Sequence, residues 1–476
     1  MSFPADSGDA RRPTPPHGAT PSAAFVPARP QPPARFPAPW QLLRLARRDL
    51  LSFWPESSYV RDMGTKRLLR QQVVLANCPE AVRHIMFTHN ARYERKSPQM
   101  RRALEYLLGD GLFVSDGDTW KTRRRAVNPI LHRNRLDRFT PMMVEAAQER
   151  AETWATKGPD GRVDMLSEMA ALTAEVIARA VFGGELGSTA ADQVIDGFTE
   201  YQQRIDQFNL GYFLGLNEGL PVPKGPRLRR AAGKVHTVVD DIVARHARGA
   251  DDDQSLVATL TRKKDRKTGR SMSAAGVRNE AATIFMAGHE TTAASMTWLW
   301  YILASAPEVE ARLHAELDEV LGTRAPTMAD VPELVYTRAV IDETLRLYPP
   351  VPLLSRQAGA DDEVCGVKVE KGSLILVVPW LLHRHRKYWD DPDTFRPERF
   401  LGDATPRDSF CYIPFAAGPR ICAGLSFAQY EMVLLVAVLA RRFRPRVAPG
   451  HTVRPVCRLT LRPEGGMPMD LNPTSP

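Results

Sequence analysis

Phe415-Ala416-Ala417-Gly418-Pro419-Arg420-Ile421-Cys422-Ala423-Gly424 is a glycine-punctuated loop with one cysteine, and it runs straight into an apolar helical segment starting near Leu425. A single buried cysteine is ordinarily just a small hydrophobe. Here Gly418 and Gly424 let the backbone approach a flat object, and amides ahead of a helix donate to a thiolate and lower its basicity. The segment therefore reads as a site for a metal-bound thiolate. Arg420, two residues before Cys422, is placed to meet an anionic group on the same bound molecule through charge-assisted hydrogen bonds. Cys78, Cys365, Cys411 and Cys457 lack such a context and form no C-x-x-C pair. Neither a disulfide framework nor a structural zinc site is indicated, and a reducing compartment is expected.

Working outward, a helical pattern runs from about Ala274 to Ala304, with Ser273 as N-cap and Pro307 as breaker. Some 30 residues at ~1.5 Å each make a helix of ~45 Å, long enough to cross a domain. Within it lies Ala287-Gly288-His289-Glu290-Thr291-Thr292. A helix-interior glycine such as Gly288 costs up to ~1 kcal/mol relative to alanine, so it wants a positive reason. His289-Glu290 is not a zincin motif, because H-E-x-x-H needs a second histidine where this chain has Ala293. Further on, Glu343-Thr344-Leu345-Arg346 puts an acid and a base three apart on one helix face, ended by Leu347-Tyr348-Pro349-Pro350; Phe395-Arg396-Pro397-Glu398-Arg399-Phe400 follows.

The loop at 415–424 resembles the heme-binding signature F-x-x-G-x-R-x-C-x-G of the cytochrome P450 family, matching every fixed position. By that resemblance Cys422 is the axial thiolate of heme b, and Phe415, Gly418, Arg420 and Gly424 belong to the cofactor loop. Thiolate ligation favours O–O cleavage over reversible O2 storage. The helix motif is similar to the family's acid–alcohol pair, with Ala287 and Gly288 closely approaching the heme face. Glu290 would relay protons from solvent, and the Thr291 hydroxyl would orient them. Glu343, Arg346 and Arg399 resemble the family's E-x-x-R and P-E-R-F pair, a structural network rather than a catalytic one. Trp120-Lys121-Thr122-Arg123-Arg124 resembles W-x-x-x-R, which makes Trp120 and Arg124 propionate neighbours, with Arg123 and Arg125 as alternative registers. Arg356 resembles another propionate ligand, and with Arg420 gives three cations for two carboxylates. His383 and His385 are expected to be structural or surface residues. The resemblance covers roughly residues 40–470 and implies a mainly α fold with small β-sheets: a helix-rich domain and a smaller β-rich region around a buried heme.

The rest of the chain bounds this picture. Its 476 residues and 43% hydrophobic content suit a large globular core. Residues 1–38, rich in Pro, Ala and Ser, are expected to be a disordered tail ahead of a domain spanning 39–476. From Trp40 to Trp54, apolar residues and Arg44, Arg47 and Arg48 alternate at helical spacing. That pattern fits either a first helix packed on the body or one resting on anionic lipid as a peripheral membrane contact. From about 60 to 345 the pattern is mainly helical, whereas VCGVKV, LILVV and the terminal LTL with its turn at Pro463–Gly466 suggest small hairpins. No apolar run reaches ~18–20 residues and no secretory leader is visible, so a cytoplasmic location is expected.

A monooxygenase inserting one oxygen atom of O2 into a C–H bond is the activity implied. The alternatives are a peroxide-driven peroxygenase and a noncatalytic heme sensor or carrier. Net charge is +9, and basic clusters occur at Lys121–Arg125 and at Arg441, Arg442 and Arg444. They suit a separate acidic ferredoxin or flavodoxin-type donor passing on reducing equivalents from NAD(P)H, with no nucleic-acid partner and a monomeric enzyme. By resemblance Val351, Leu353 and Leu354 line an apolar substrate pocket, and Phe198–Leu220, with Tyr201, Phe208, Tyr212 and Phe213, forms its lid region. The AGHETT and TLRPEGGMPM wording is similar to the fatty-acid-hydroxylase-like branch, so a long-chain fatty acid or a terpenoid is the expected substrate.

Overall fold

The computed structural model describes residues 25–37, 45, 48–158, 161–183, 188–204, 225–247, 255–264, 269, 271–402 and 408–474. It is mainly helical with small sheets. The longest helix covers Ala274–Ser305, where the Ser273 side chain accepts from the Gly276 amide at 3.1 Å. The next helix opens with Pro307 in its first turn, a residue that fits a helix start but not a helix interior. Buried residues occur all around the long helix, as expected of a helix threaded through a core rather than laid on it. Its main neighbour is the helix Met165–Phe182, fixed partly by the Thr173 hydroxyl donating to the His289 carbonyl at 2.9 Å.

Beside the helices lies a four-stranded sheet in the order Met63–Leu68, Gln71–Ala76, Leu374–Val377, Leu354–Gln357. Gln71–Ala76 and Leu374–Val377 run parallel, with Val74 opposite Ile375. The 364–378 region is therefore not one hairpin. Asp362–Val364 pairs with Val367–Val369, while LILV leaves for the larger sheet. Residues 60–345 are mainly helical as expected, and the first two strands are an addition that the pattern does not reveal. Met63–Leu68 is a mostly polar edge strand and lacks the apolar alternation that reveals a half-buried one. At the C-terminus Pro455–Cys457 pairs with Leu461–Pro463, and Pro468–Asp470 lies between Arg162–Asp164 and Arg446–Val447.

The packed chain begins earlier than residue 39. Phe395 donates its amide to the Phe25 carbonyl, Tyr348 Oη donates to the Ala28 carbonyl, and Arg29 pairs with Asp393 at 3.0 Å. Residues 25–37 thus lie on the body, held by polar contacts that composition does not reveal. Residues 1–24 and, in the Trp40–Trp54 stretch, residues 40–44, 46 and 47 lie outside the described residues, and Leu51, Phe53 and Trp54 at its end are buried. In the expected lid, Phe198 and Tyr201 are core residues, with Tyr201 Oη donating to the Ala103 carbonyl. Phe208, Tyr212 and Phe213 lie outside the described residues.

Candidate active site

The cysteine loop is built by backbone. The Cys422 amide donates to the Phe415 carbonyl at 2.9 Å, Ala416 adopts φ +61°, and the chain enters the helix Leu425–Leu439 through Gly424. Cys422 is locally exposed yet enclosed by protein at longer range, and that burial raises the pKa of its thiol. The Gly424 amide, Arg124 and Lys96 pull the other way, toward thiolate. Gly418 is required by a contact within the protein itself. Its φ is +71°, and a Cβ there would lie 1.7 Å from the Met86 carbonyl oxygen, so the close approach is to another backbone turn. Gly424 is open: a Cβ added there would have only the Cys422 sulfur nearby, at 4.0 Å. Phe415 is half-buried against the main core.

Cations surround this loop. Arg420 is buried, donates to the Glu94 carbonyl at 2.7 Å and to the Ser115 carbonyl, and its guanidinium carbon lies 4.8 Å from the Trp120 ring centroid. Burial brings the Arg356 pKa down to about 10, with Arg420 adding to the effect, and its buried Nε has no partner. Arg124 is lowered by burial and feels Cys422, whereas Arg123 turns away to Asp110 at 2.7 Å and Glu280 at 3.4 Å. Of these two arginines it is Arg124 that feels the cysteine loop. Sequence reasoning misses Lys96. It sits in Glu94-Arg95-Lys96-Ser97, which reads as a solvated basic stretch, yet Lys96 Nζ lies 3.2 Å from the Phe113 ring centroid. Burial, then Arg356 and Arg420, hold its ammonium well below the ordinary lysine range, while Cys422 opposes. Four cations beside one thiol, with an orphaned guanidinium nitrogen among them, fit an anionic, thiolate-ligated cofactor such as heme.

On the long helix, Ala287, Gly288 and Thr291 are half-buried and Glu290 is buried. Thr291 Oγ1 donates to the Ala287 carbonyl at 2.5 Å. Gly288 again has a reason other than the cofactor: a Cβ would come within 2.8 Å of Ile177 on the neighbouring helix. Glu290 does not stand open to solvent. Its Oε1 accepts from the Arg462 guanidinium and the Thr460 hydroxyl, both on the terminal hairpin.

Glu343, Arg346 and Arg399 come together as expected of a structural network. Arg346 and Glu343 are fully buried and doubly bonded, at 2.6 and 2.7 Å. Arg346 also donates to the carbonyls of His383, Pro392 and Thr394. Arg399 Nε approaches Glu343 at 3.4 Å, and the Arg396 amide bonds Glu343 at 2.9 Å. Such saturation is what makes a buried pair tolerable, and removing one member commonly costs ~3–5 kcal/mol. His383 is buried, with Nδ1 against the Arg346 carbonyl and Nε2 accepting from the Ile413 amide; His385 is buried beside Asp62.

A cavity of about 580 Å3 opens between the sheet and the N-terminal segment, lined among others by Phe36, Phe53, Trp54, Met100 and Leu353. Of the three expected pocket residues, Leu353 lines it; Val351 is half-buried and Leu354 packs on the sheet side. The basic clusters are partly committed: Arg442 pairs with Glu152, and Arg441 donates to the Gly322 and Arg324 carbonyls. Among the described residues no helix is long and apolar enough to cross a membrane.

A thiol in a glycine-bounded loop beside buried cations, in a chain whose long helix carries an acid–hydroxyl pair, fits a heme-thiolate protein. A family model described as cytochrome P450 matches residues 30–467. Cyclooctatin synthase of Streptomyces melanosporofaciens is 34% identical over 439 residues, covering 90% of this chain and 92% of that protein. The cyclooctat-9-en-7-ol 5-monooxygenase of the same organism is 34% identical over 393 residues, covering 82% and 84%. The crystal structure of a cytochrome P450DA heme domain superposes with TM-score 0.77 at 21% identity, covering 95% of this chain and 98% of that one, a likeness of fold alone. The chain belongs to the cytochrome P450 family. It is a P450 monooxygenase whose cofactor is heme.

Proposed function

We propose that the protein hydroxylates a terpenoid, that Cys422 would ligate the heme iron, and that Lys96, Arg124, Arg356, Arg420 and the Trp120 indole would hold the cofactor's carboxylates. The observation that carries the cofactor assignment is the group of cations beside Cys422, which has an orphaned Arg356 nitrogen and asks for an anion. The thiolate-ligated heme, when bound, supplies O2 activation. This chain's residues do the rest. Thr291 gives up its bond to the Ala287 carbonyl to orient a proton, and Glu290, parted from Arg462, brings protons in. The cavity's Phe36, Phe53, Trp54, Met100 and Leu353 favour an apolar guest, and its volume lies within the ~300–1,000 Å3 usual for small-molecule sites. Relatives named for cyclooctatin chemistry favour a terpenoid over a straight-chain fatty acid.

Electrons arrive from a separate acidic ferredoxin or flavodoxin-type protein supplied by NAD(P)H, and that association weakens with salt. The test is a difference-spectroscopy screen of terpenoids, fatty acids and aromatics, followed by turnover of the binders with a surrogate ferredoxin system. Product should require both electrons and O2. Turnover driven only by peroxide overturns the reading. Cys422→Ala should lose the thiolate-type shift of the reduced, carbon-monoxide-bound spectrum, and a retained shift refutes the ligand assignment.

A further inference from the structure

The cavity between the sheet and the N-terminal segment has an apolar floor and a charged lip. Phe53, Trp54, Leu75 and Leu374 line the floor and are buried. Arg35, Arg61 and Lys66 line the lip and are exposed. No aspartate or glutamate is among the described residues that line the cavity. The Arg61 side chain lies along Gly64, where an added Cβ would stand 3.5 Å from the Arg61 Cδ, and Lys66 Nζ lies 4.9 Å from the Phe36 ring centroid. Such contacts seat the stems of the two side chains against the cavity wall and leave their charges without a counter-ion.

The acids on the neighbouring elements are committed elsewhere. Glu56 pairs with Arg386, Asp62 binds Lys387 and Tyr388 at 2.7 and 2.8 Å, and Glu370 pairs with Arg67. Asp49 accepts from the amides of Leu51 and Cys457 at 3.0 and 2.9 Å. Among the described residues Arg35, Arg61 and Lys66 have no carboxylate partner. Unneutralised cations at the mouth of a low-dielectric cleft attract an anion to it. Deeper in, Ser97 and Ser355 line the cavity and bond to each other, hydroxyl to hydroxyl, at 2.7 Å. Their chain neighbours Lys96 and Arg356 pair across an isolated bridge and belong to the cations grouped near Cys422. The cavity thus joins free cations at the surface to the wall of the cofactor's site.

We infer that the substrate is a terpenoid carrying a carboxylate, its head held at the lip by Arg35, Arg61 and Lys66 and its hydrocarbon skeleton lying over the floor toward the cofactor. The inference deepens the terpenoid-hydroxylase reading and rests on it. A hydrocarbon or a simple alcohol would use the floor and leave the lip idle. Exposed ion pairs are individually weak and are screened by salt, so the lip orients the guest while the floor supplies most of the affinity. A carboxylate fixed at the surface places the carbon to be oxidised at the far end of the skeleton. The reaction that supplies this substrate must already have made the acid.

The experiment titrates the holoenzyme, by the shift of its heme absorption band, with geranylgeranoic acid, the methyl ester of that acid, geranylgeranyl diphosphate, palmitic acid and methyl palmitate. At low salt geranylgeranoic acid should bind about 5- to 30-fold more tightly than its ester. Raising salt to ~0.5 M should remove most of that ratio. The double variant Arg61→Gln, Lys66→Gln should cut the ratio at least about threefold, and Arg35→Gln should act in the same direction. All three positions are exposed, so the variants leave the core intact. With a surrogate electron donor, the parent should oxidise the acid at the end remote from its carboxylate, and the double variant should scatter the position. Equal binding of the acid and its ester, or a ratio that neither salt nor the double variant changes, overturns the inference and leaves terpenoid hydroxylation standing. Tighter binding of the diphosphate than of the acid overturns the carboxylate. Palmitic acid bound more tightly than geranylgeranoic acid, with the same preference over its ester, sinks the terpenoid reading instead and keeps the anion-holding lip.

Discussion

Arg462 holds Glu290: the guanidinium on one strand of the terminal hairpin reaches back 172 residues to the acid in the middle of the long helix. The same hairpin is tied to the cavity wall. Cys457 on its other strand donates its amide to Asp49 at 2.9 Å and accepts from the amide of Leu50, which lines the cavity. The acid proposed to bring protons in is therefore restrained by an element that also contacts the cavity wall.

Replacing Arg462 with Gln should release that restraint. The Arg462 side chain is 36% exposed, so solvent screens the pair and parting it costs on the order of 1 kcal/mol. Turnover at saturating substrate and donor should rise, by up to about fivefold, while thermal stability drops slightly because Glu290 keeps only Thr460. Glu290→Gln should lower product per electron pair. If R462Q falls to the level of E290Q, the ion pair is the working arrangement and not a restraint.

Gly418→Ala should be far worse than Gly424→Ala, although both belong to the same signature. At 418 the new methyl would meet the Met86 carbonyl at 1.7 Å and the residue would be kept at φ +71°. Backbone has to move, at a cost above ~3 kcal/mol. Heme content per purified chain should collapse. At 424 the nearest neighbour is the Cys422 sulfur at 4.0 Å, so the chain should still fold. Equal heme content in the two variants would contradict this reading of the loop.

Lys96→Met should weaken cofactor retention without harming the fold. The ammonium is crowded by Arg356 and Arg420, so its removal relieves repulsion in the chain itself. A charge-assisted bond to the cofactor, worth ~1.5–3 kcal/mol, is lost. Transfer of heme to an acceptor apoprotein should quicken by about 10- to 100-fold. An unchanged transfer rate would remove Lys96 from the cofactor's surroundings.

Much of this architecture is legible in the chain. The cysteine loop, the long helix between Ser273 and Pro307, and the Glu343–Arg346–Arg399 network are each built from short motifs that can be recognised by their residue types and spacing. What the sequence hides is set by distance along the chain. Arg462 stands between the terminal LTL and its turn with no motif around it, and Lys96 in a stretch that reads as solvated surface. Gly288 and Gly418 are recognisable as special, but the partners that require them, Ile177 and Met86, appear only when the chain is folded. The strand Met63–Leu68 escapes notice because its side chains face mostly water.

Stability should fall in mild acid through His383. The ring is buried, its Nδ1 lies 3.1 Å from the Arg346 carbonyl and its Nε2 accepts from the Ile413 amide at 2.9 Å. Nδ1 therefore carries the hydrogen, and a proton on Nε2 would point straight at another N–H. Burial, aided by Arg346, brings its pKa down to about 3, against ~6.5 in the unfolded chain. Between those values the unfolded chain binds a proton that the folded one refuses, so this contribution is complete above pH ~6.5 and is lost as pH falls toward 3. At pH 5 the loss is ~2 kcal/mol. His383→Gln, which can keep a donor and an acceptor, should be less stable near pH 7.5 yet lose less between pH 6.5 and 5. Denaturant unfolding of parent and variant at both ends of that range checks it: equal acid losses would mean that His383 titrates alike in the folded and unfolded chain.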